Sequence, residues 1–125
     1  SRRNNFFYYK DALSGNEQIE FLEEPDESYY SNHWLTTIVI NPGNKDALSS
    51  IKIQKEMDKV QIETRPLWKP MHLQPVFSRY YSISNGVSES LFNQGLCLPS
   101  GSQLTEQDLD RIIKNLENIL VDIFS

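Results

Sequence analysis

Cysteine is nearly absent. The one thiol, Cys97, excludes an internal disulfide, and with only two histidines, His33 and His72, no zinc-type spacing can be assembled. Clustered positive charge is missing too. The net charge is −5, and basic residues stand singly among acids apart from Arg2-Arg3, read as a solvated helix end. A nucleic-acid partner is therefore not expected, because phosphate binding needs grouped Lys and Arg. No apolar run approaches the length of a membrane span. No Asn-X-Ser/Thr acceptor and no signal segment is seen. A reducing cytoplasm is the simplest compartment these features predict.

What is present is enough for one α/β domain. In 125 residues, 38% are hydrophobic and 11% aromatic, so roughly two-thirds of the unfolded surface should be buried. Phe6, Phe7, Tyr8 and Tyr9 follow the arginines with no flexible leader, as in a chain cut from a longer polypeptide. Residues 2–14 suit a helix with Phe6, Tyr9, Leu13 and Phe7 on one side and Gly15 ending it. An extended piece follows at Ile19 to Leu22, then an acidic loop over Glu23 to Ser31. Trp34 to Ile40 lacks polar alternation and is predicted to be a strand covered on both faces. Asn41-Pro42-Gly43-Asn44 is turn chemistry. Asn44 suits the cap of a helix over Lys45 to Met57, with Ala47, Leu48 and Ile51 facing inward. Val60 to Glu63 reads as another strand.

Three prolines at 66, 70 and 75 exclude a regular helix or central strand over Arg65 to Phe77. Its apolar and aromatic content predicts an ordered segment. Ser88 to Asn93 reads as a short helix stopped by Gly95, and Leu96 to Leu98 as a buried strand ended by Pro99. The last helix has Thr105 as its cap, with Asp108 three residues on and Leu104 and Leu109 placed as a hydrophobic staple. Its apolar face runs Leu109, Ile112, Ile113, Leu116, Ile119, Leu120, Ile123 in steps of three and four.

His72 is the leading candidate for chemistry. Arg65 and Lys69 near it suit a phosphorylated or carboxylated ligand, and Trp68 could stack on a sugar or base. The alternative is a loop whose Arg and His satisfy backbone carbonyls. His33, without a partner at metal spacing, is read as structural or exposed. Cys97, between two leucines, is read as a small core residue. Ser100-Gly101-Ser102 lacks the glycines and lysine of a phosphate loop and is read as a turn. No nucleophilic triad, carboxylate pair or dinucleotide fingerprint is assembled.

The run from Glu63 to Phe77, with Arg65-Pro66-Leu67-Trp68-Lys69-Pro70-Met71-His72 at its centre, resembles the C-terminal signature of the DegT/DnrJ/EryC1/StrS sugar aminotransferases. So do Ser90 to Ser102 followed by Leu104-Thr105-Glu106, Ser31 to Thr36 upstream, and Arg2-Arg3-Asn4 with Tyr9. The resemblance implies the small C-terminal domain of a fold type I aminotransferase: an α+β unit in which a small antiparallel sheet packs against helices, with a long C-terminal helix. Residues 1–14 would be the end of the connecting helix. It implies pyridoxal 5'-phosphate in the full-length enzyme, held by a lysine of a large N-terminal domain. None of the seven lysines here lies in a matching motif, so the chain alone is expected to bind no cofactor and to be inactive.

The nearest subgroup by resemblance aminates C4 of nucleotide-linked 4-keto-6-deoxy sugars, with glutamate as donor, for surface polysaccharide or glycan synthesis. That would place Arg65, Trp68, Lys69 and His72 beside the nucleotide-sugar substrate. The implied partners are the large domain and, for the full enzyme, a second copy. Asn32-His33 departs from the Asn-Arg of near relatives and puts one substrate contact in question. Two other readings stay open: a stand-alone binding module built on this domain, and the small domain of a related dehydratase.

Overall fold

The computed structural model describes residues 1–40 and 49–124, the side chain of Ser49 excepted. Helix α1 (Arg2–Leu13) leads into strands β1 (Ile19–Phe21) and β2 (Thr36–Ile40) and helix α2 (Ser49–Lys59). Then come β3 (Arg65–Pro66), two single 3-10 turns (Met71–Leu73 and Pro75–Phe77), α3 (Val87–Gln94), β4 (Gly95–Leu98) and the long α4 (Glu106–Phe124). The strands form one sheet in the order β1-β2-β4-β3, every pair antiparallel. This is the α+β arrangement expected, with a small antiparallel sheet against helices.

Register assigns the two faces. Ile19 lies opposite Ile40, Phe21 opposite Ile38, and Ile38 opposite Leu96. These side chains join Tyr9 and Leu13 of α1, Ile53 and Met57 of α2 and the α4 stripe in one core. Cβ direction alternates along a strand, so Val39, Gly95 and Cys97 belong to the opposite face. Val39 and Cys97 are nevertheless buried, which makes β2 and β4 covered on both sides, as their unbroken apolar composition implies.

The ends of α4 follow local rules. The Thr105 N–H and hydroxyl both donate to Asp108 Oδ2 at 2.9 Å, and the Asp108 N–H donates back to Thr105 Oγ1 at 3.1 Å. This is a capping box with Asp in the third position. Leu109, Ile112, Ile113, Leu116 and Leu120 are buried, while Ile119 and Ile123 pack at the margin of the core.

Four expectations are corrected. Val60 to Glu63 is no strand, because its amides close α2 instead. Ile62 N–H donates to Met57 O at 3.0 Å, and Gln61 takes φ 60°. That is a Schellman cap with glutamine in the left-handed position, sealed by buried Met57 and Ile62. The extended segment starts later, at Arg65. Ile51 is 42% exposed, and Ser50, Ile53 and Met57 face inward instead. Trp34 and Leu35 precede the strand; Trp34 is exposed. Arg2-Arg3 is not a free helix end, since Arg2 donates to Trp34 O at 2.5 Å and Arg3 binds Glu24 and the Ser31 carbonyl. The 41–44 turn, the Asn44 cap, Ala47 and Leu48 lie outside the described residues.

Candidate functional site

The proline segment is built onto the sheet edge. Pro66 pairs opposite Leu96 on β3, an edge strand, where a missing N–H leaves no ladder bond broken. Leu67 then lies over Gly95: a Cβ added to Gly95 would sit 2.1 Å from Leu67 Cδ1. Pro70 is buried. Gln74 Nε2 donates to Lys69 O at 3.2 Å, and the two 3-10 turns take up the chain between the prolines. The segment is ordered by backbone geometry and by two anchors, half-buried Leu67 and buried Pro70, while Trp68, Met71 and Val76 stay 70%, 64% and 67% exposed.

The four predicted residues separate into three positions. Arg65 stands opposite Cys97, with its Nε and Nη2 on Glu63 Oε1 at 3.0 and 2.8 Å. It lines a cavity of about 430 Å³ with Glu63, Ser100, Gln103, Asp108 and Arg111. Trp68 and Lys69 project into solvent. His72 turns toward α3, where its Nε2 lies 2.5 Å from Glu89 Oε1. Among the described residues no hydrogen bond or ion pair joins any two of the four. Glu89 was not anticipated. Its only sequence signal is an acid in the first turn of the Ser88–Asn93 helix, and its partner is a tertiary contact.

His33 is structural. Its ring stacks on Phe6 at 3.6 Å between centroids, it is buried at φ 47°, and its Nε2 has no hydrogen-bond partner. Glu24 Oε1 is 3.6 Å away, beyond hydrogen-bond reach. Burial lowers the affinity of the ring for a proton, against the pull of Glu24. Glu24 itself is pushed down to about 2 by the Ser31 N–H and by Arg3. Both shifts act in one direction. The unfolded His33 takes a proton below about 6.5 while the folded one resists it, so stability falls as pH drops through that value. Glu24 adds a second loss as pH falls from about 4.5 toward 2. The urea midpoint should therefore decline between pH 7 and 5, and His33→Asn, which suits a positive φ, should flatten that limb. An unchanged slope in His33→Asn would refute the assignment.

Cys97 is buried, and burial pushes its thiol up, partly offset by the Thr37 hydroxyl 3.8 Å away. It is a core residue, not a nucleophile. Among the described residues no group of three His, Cys, Asp or Glu is placed to hold a metal. No described helix is long and apolar enough to cross a membrane.

Among the described residues no lysine is placed as a pyridoxal phosphate site requires, and Lys45 lies outside them. Such a site needs a lysine amine held in a shielded pocket. Lys10, Lys52, Lys55, Lys59, Lys69 and Lys114 are all outside the buried core, with Lys10 tied to Glu23 and Lys59 to Glu56.

The sheet order, the helical layer and the long last helix define an aminotransferase fold. TlmJ, an aminotransferase of Streptoalloteichus hindustanus, superimposes with a TM-score of 0.85 over 99% of this chain and 32% of its own, at 16% identity. The sequence fixes the lineage: the chain belongs to the DegT/DnrJ/EryC1/StrS aminotransferase family, whose profile matches residues 1–117. EpsN of Bacillus subtilis strain 168, assigned as a pyridoxal phosphate-dependent aminotransferase, is 41% identical over 119 residues, 92% of this chain. GDP-perosamine synthase of Caulobacter vibrioides is 34% identical over 90 residues, 70% of this chain. The chain spans 29% and 23% of the length of these two relatives.

Proposed function

We propose that the chain is the small domain of a pyridoxal phosphate-dependent sugar aminotransferase. In this reading the whole enzyme moves an amino group from glutamate to C4 of a nucleotide-linked 4-keto-6-deoxy sugar for surface polysaccharide or glycan synthesis. The observation that carries it is the 41% identity to EpsN across 92% of the chain. The name of GDP-perosamine synthase supports a nucleotide-linked sugar. Because none of the described lysines is shielded as such a site requires, we assign the cofactor to the part of the relatives that this chain does not match, and the chain by itself is expected to be inactive. The cofactor supplies the electron sink and carries the amino group.

The role of this domain is then to bind and orient the sugar nucleotide. Trp68 offers an aromatic face, Lys69 a mobile charge for a phosphate, Arg65 a planar donor set once released from Glu63, and His72 a directed ring nitrogen. The exposed apolar side chains of Met71, Val76, Tyr81 and Ile83 belong to the surface on which the large domain docks, since exposed apolar groups on a lone domain call for a cover. The working enzyme is a homodimer.

The test is steady-state kinetics of the protein that carries this chain. His72→Ala and Trp68→Ala should each raise KM for the nucleotide sugar roughly 10- to 100-fold, the equivalent of about 1.5–3 kcal/mol, while KM for glutamate stays where it is. Sugar KM values equal to those of the unsubstituted enzyme in both variants would sink the substrate-facing reading.

A further inference from the structure

His72 is the only one of the four candidate residues whose ring is held by a partner from another element. That partner is chemically one-sided. A carboxylate accepts hydrogen bonds and donates none, and Glu89 sits in the first turn of α3, where the helix end favours negative charge. At 2.5 Å between His72 Nε2 and Glu89 Oε1, the proton between them belongs to the ring. A neutral imidazole with its proton on Nε2 presents a bare lone pair at Nδ1.

The supports of this pair are rigid where they need to be. His72 follows buried Pro70 by two residues within a single 3-10 turn. Glu89 stands on a helix that runs straight into β4 with no intervening loop. The His72 side chain is 21% exposed and that of Glu89 43%, so the pair is not sealed from solvent.

We propose that Glu89 is a positioning residue that fixes the Nε2–H form of His72, so that Nδ1 accepts a hydrogen bond from a hydroxyl or amide N–H of the sugar substrate. This rests on the reading of the loop as substrate-facing. The sugar is thereby recognised by a donor group, whereas a ring free to switch form would accept donors and acceptors alike. Glu89→Gln keeps the size of the side chain but replaces the one-sided acceptor by an amide that both donates and accepts.

Two measurements on the same variants test it. Chain labelled with 15N-histidine carries only two such residues, and long-range 1H–15N correlation reads the proton position on each ring. The unsubstituted chain should show His72 as the Nε2–H form, and Glu89→Gln should show a mixture. A matching amide spectrum outside the loop verifies that the variant is folded. In the enzyme carrying this chain, Glu89→Gln should raise the sugar KM by about tenfold, with the change in KM and not in kcat. The proposal is overturned by a doubly protonated His72 ring at neutral pH, by the same ring form in Glu89→Gln, or by a changed ring form with an unchanged sugar KM. His72→Ala separates the two layers. If that variant leaves sugar KM alone, the substrate-facing reading falls and the acceptor role with it, whereas the lock by Glu89 is judged by the ring spectrum itself.

Discussion

Gly95→Ala should lose about 3 kcal/mol of stability and release the loop that carries His72. The requirement for glycine here is spatial, not conformational. Gly95 has φ −85° and ψ 148°, ordinary extended backbone open to any residue. A Cβ, however, would lie 2.1 Å from Leu67 Cδ1 and 2.3 Å from Leu91 O. Leu67 could turn away, but the Leu91 carbonyl is helical backbone and accepts the Gly95 N–H. The last turn of α3 must shift, and with it the helix that positions Glu89. Both supports of the His72–Glu89 pair move at once: the loop through Leu67, the carboxylate through α3. Urea unfolding measures the loss, and the His72 ring spectrum reports the pair. Adding Leu67→Ala to Gly95→Ala should restore only part of the stability, because it relieves the side-chain clash and leaves the backbone one. Full restoration, or a loss below about 1 kcal/mol, would show that α3 yields easily.

What could be read from the sequence, and what could not, divides along the distance between interacting residues. The Thr105–Asp108 box and the α4 stripe depend on residues a few positions apart, so composition and spacing specify them. Leu96 to Leu98 is legible as a strand because β4 is buried on both faces. The Val60–Glu63 strand failed for a local reason of another kind. A helix that ends on a left-handed residue is signalled by glycine or asparagine, and Gln61 carries no such mark. Arg65 to His72 stood out as a candidate site from its prolines and its mixture of aromatic, basic and imidazole groups. Its geometry was not legible, because Leu67 meets Gly95 and His72 meets Glu89 across tertiary contacts. Arg3, read as solvated, is bound by Glu24 and the Ser31 carbonyl for the same reason.

Leu116→Ala should remove a comparable amount of stability, about 3 kcal/mol within the 2–5 kcal/mol range of buried leucines, and leave the site unmoved. Leu116 is fully buried at the centre of the α4 stripe, where α4 meets α1, α2 and the sheet face formed by Ile38, Ile40, Leu96 and Leu98. Deleting three carbons there opens a cavity that the three surrounding layers fill only in part. The loop lies on the other side of β4, where Leu67 covers Gly95, and α3 contacts α2, β2 and β4. The two substitutions should therefore differ in kind at equal energetic cost. Leu116→Ala should lower the urea midpoint while the His72 ring spectrum of the folded chain stays as it is. Gly95→Ala should change both. If Leu116→Ala also moved the His72 ring, the β4 layer would be transmitting strain from core to loop, and the separation of stability from site geometry would not hold.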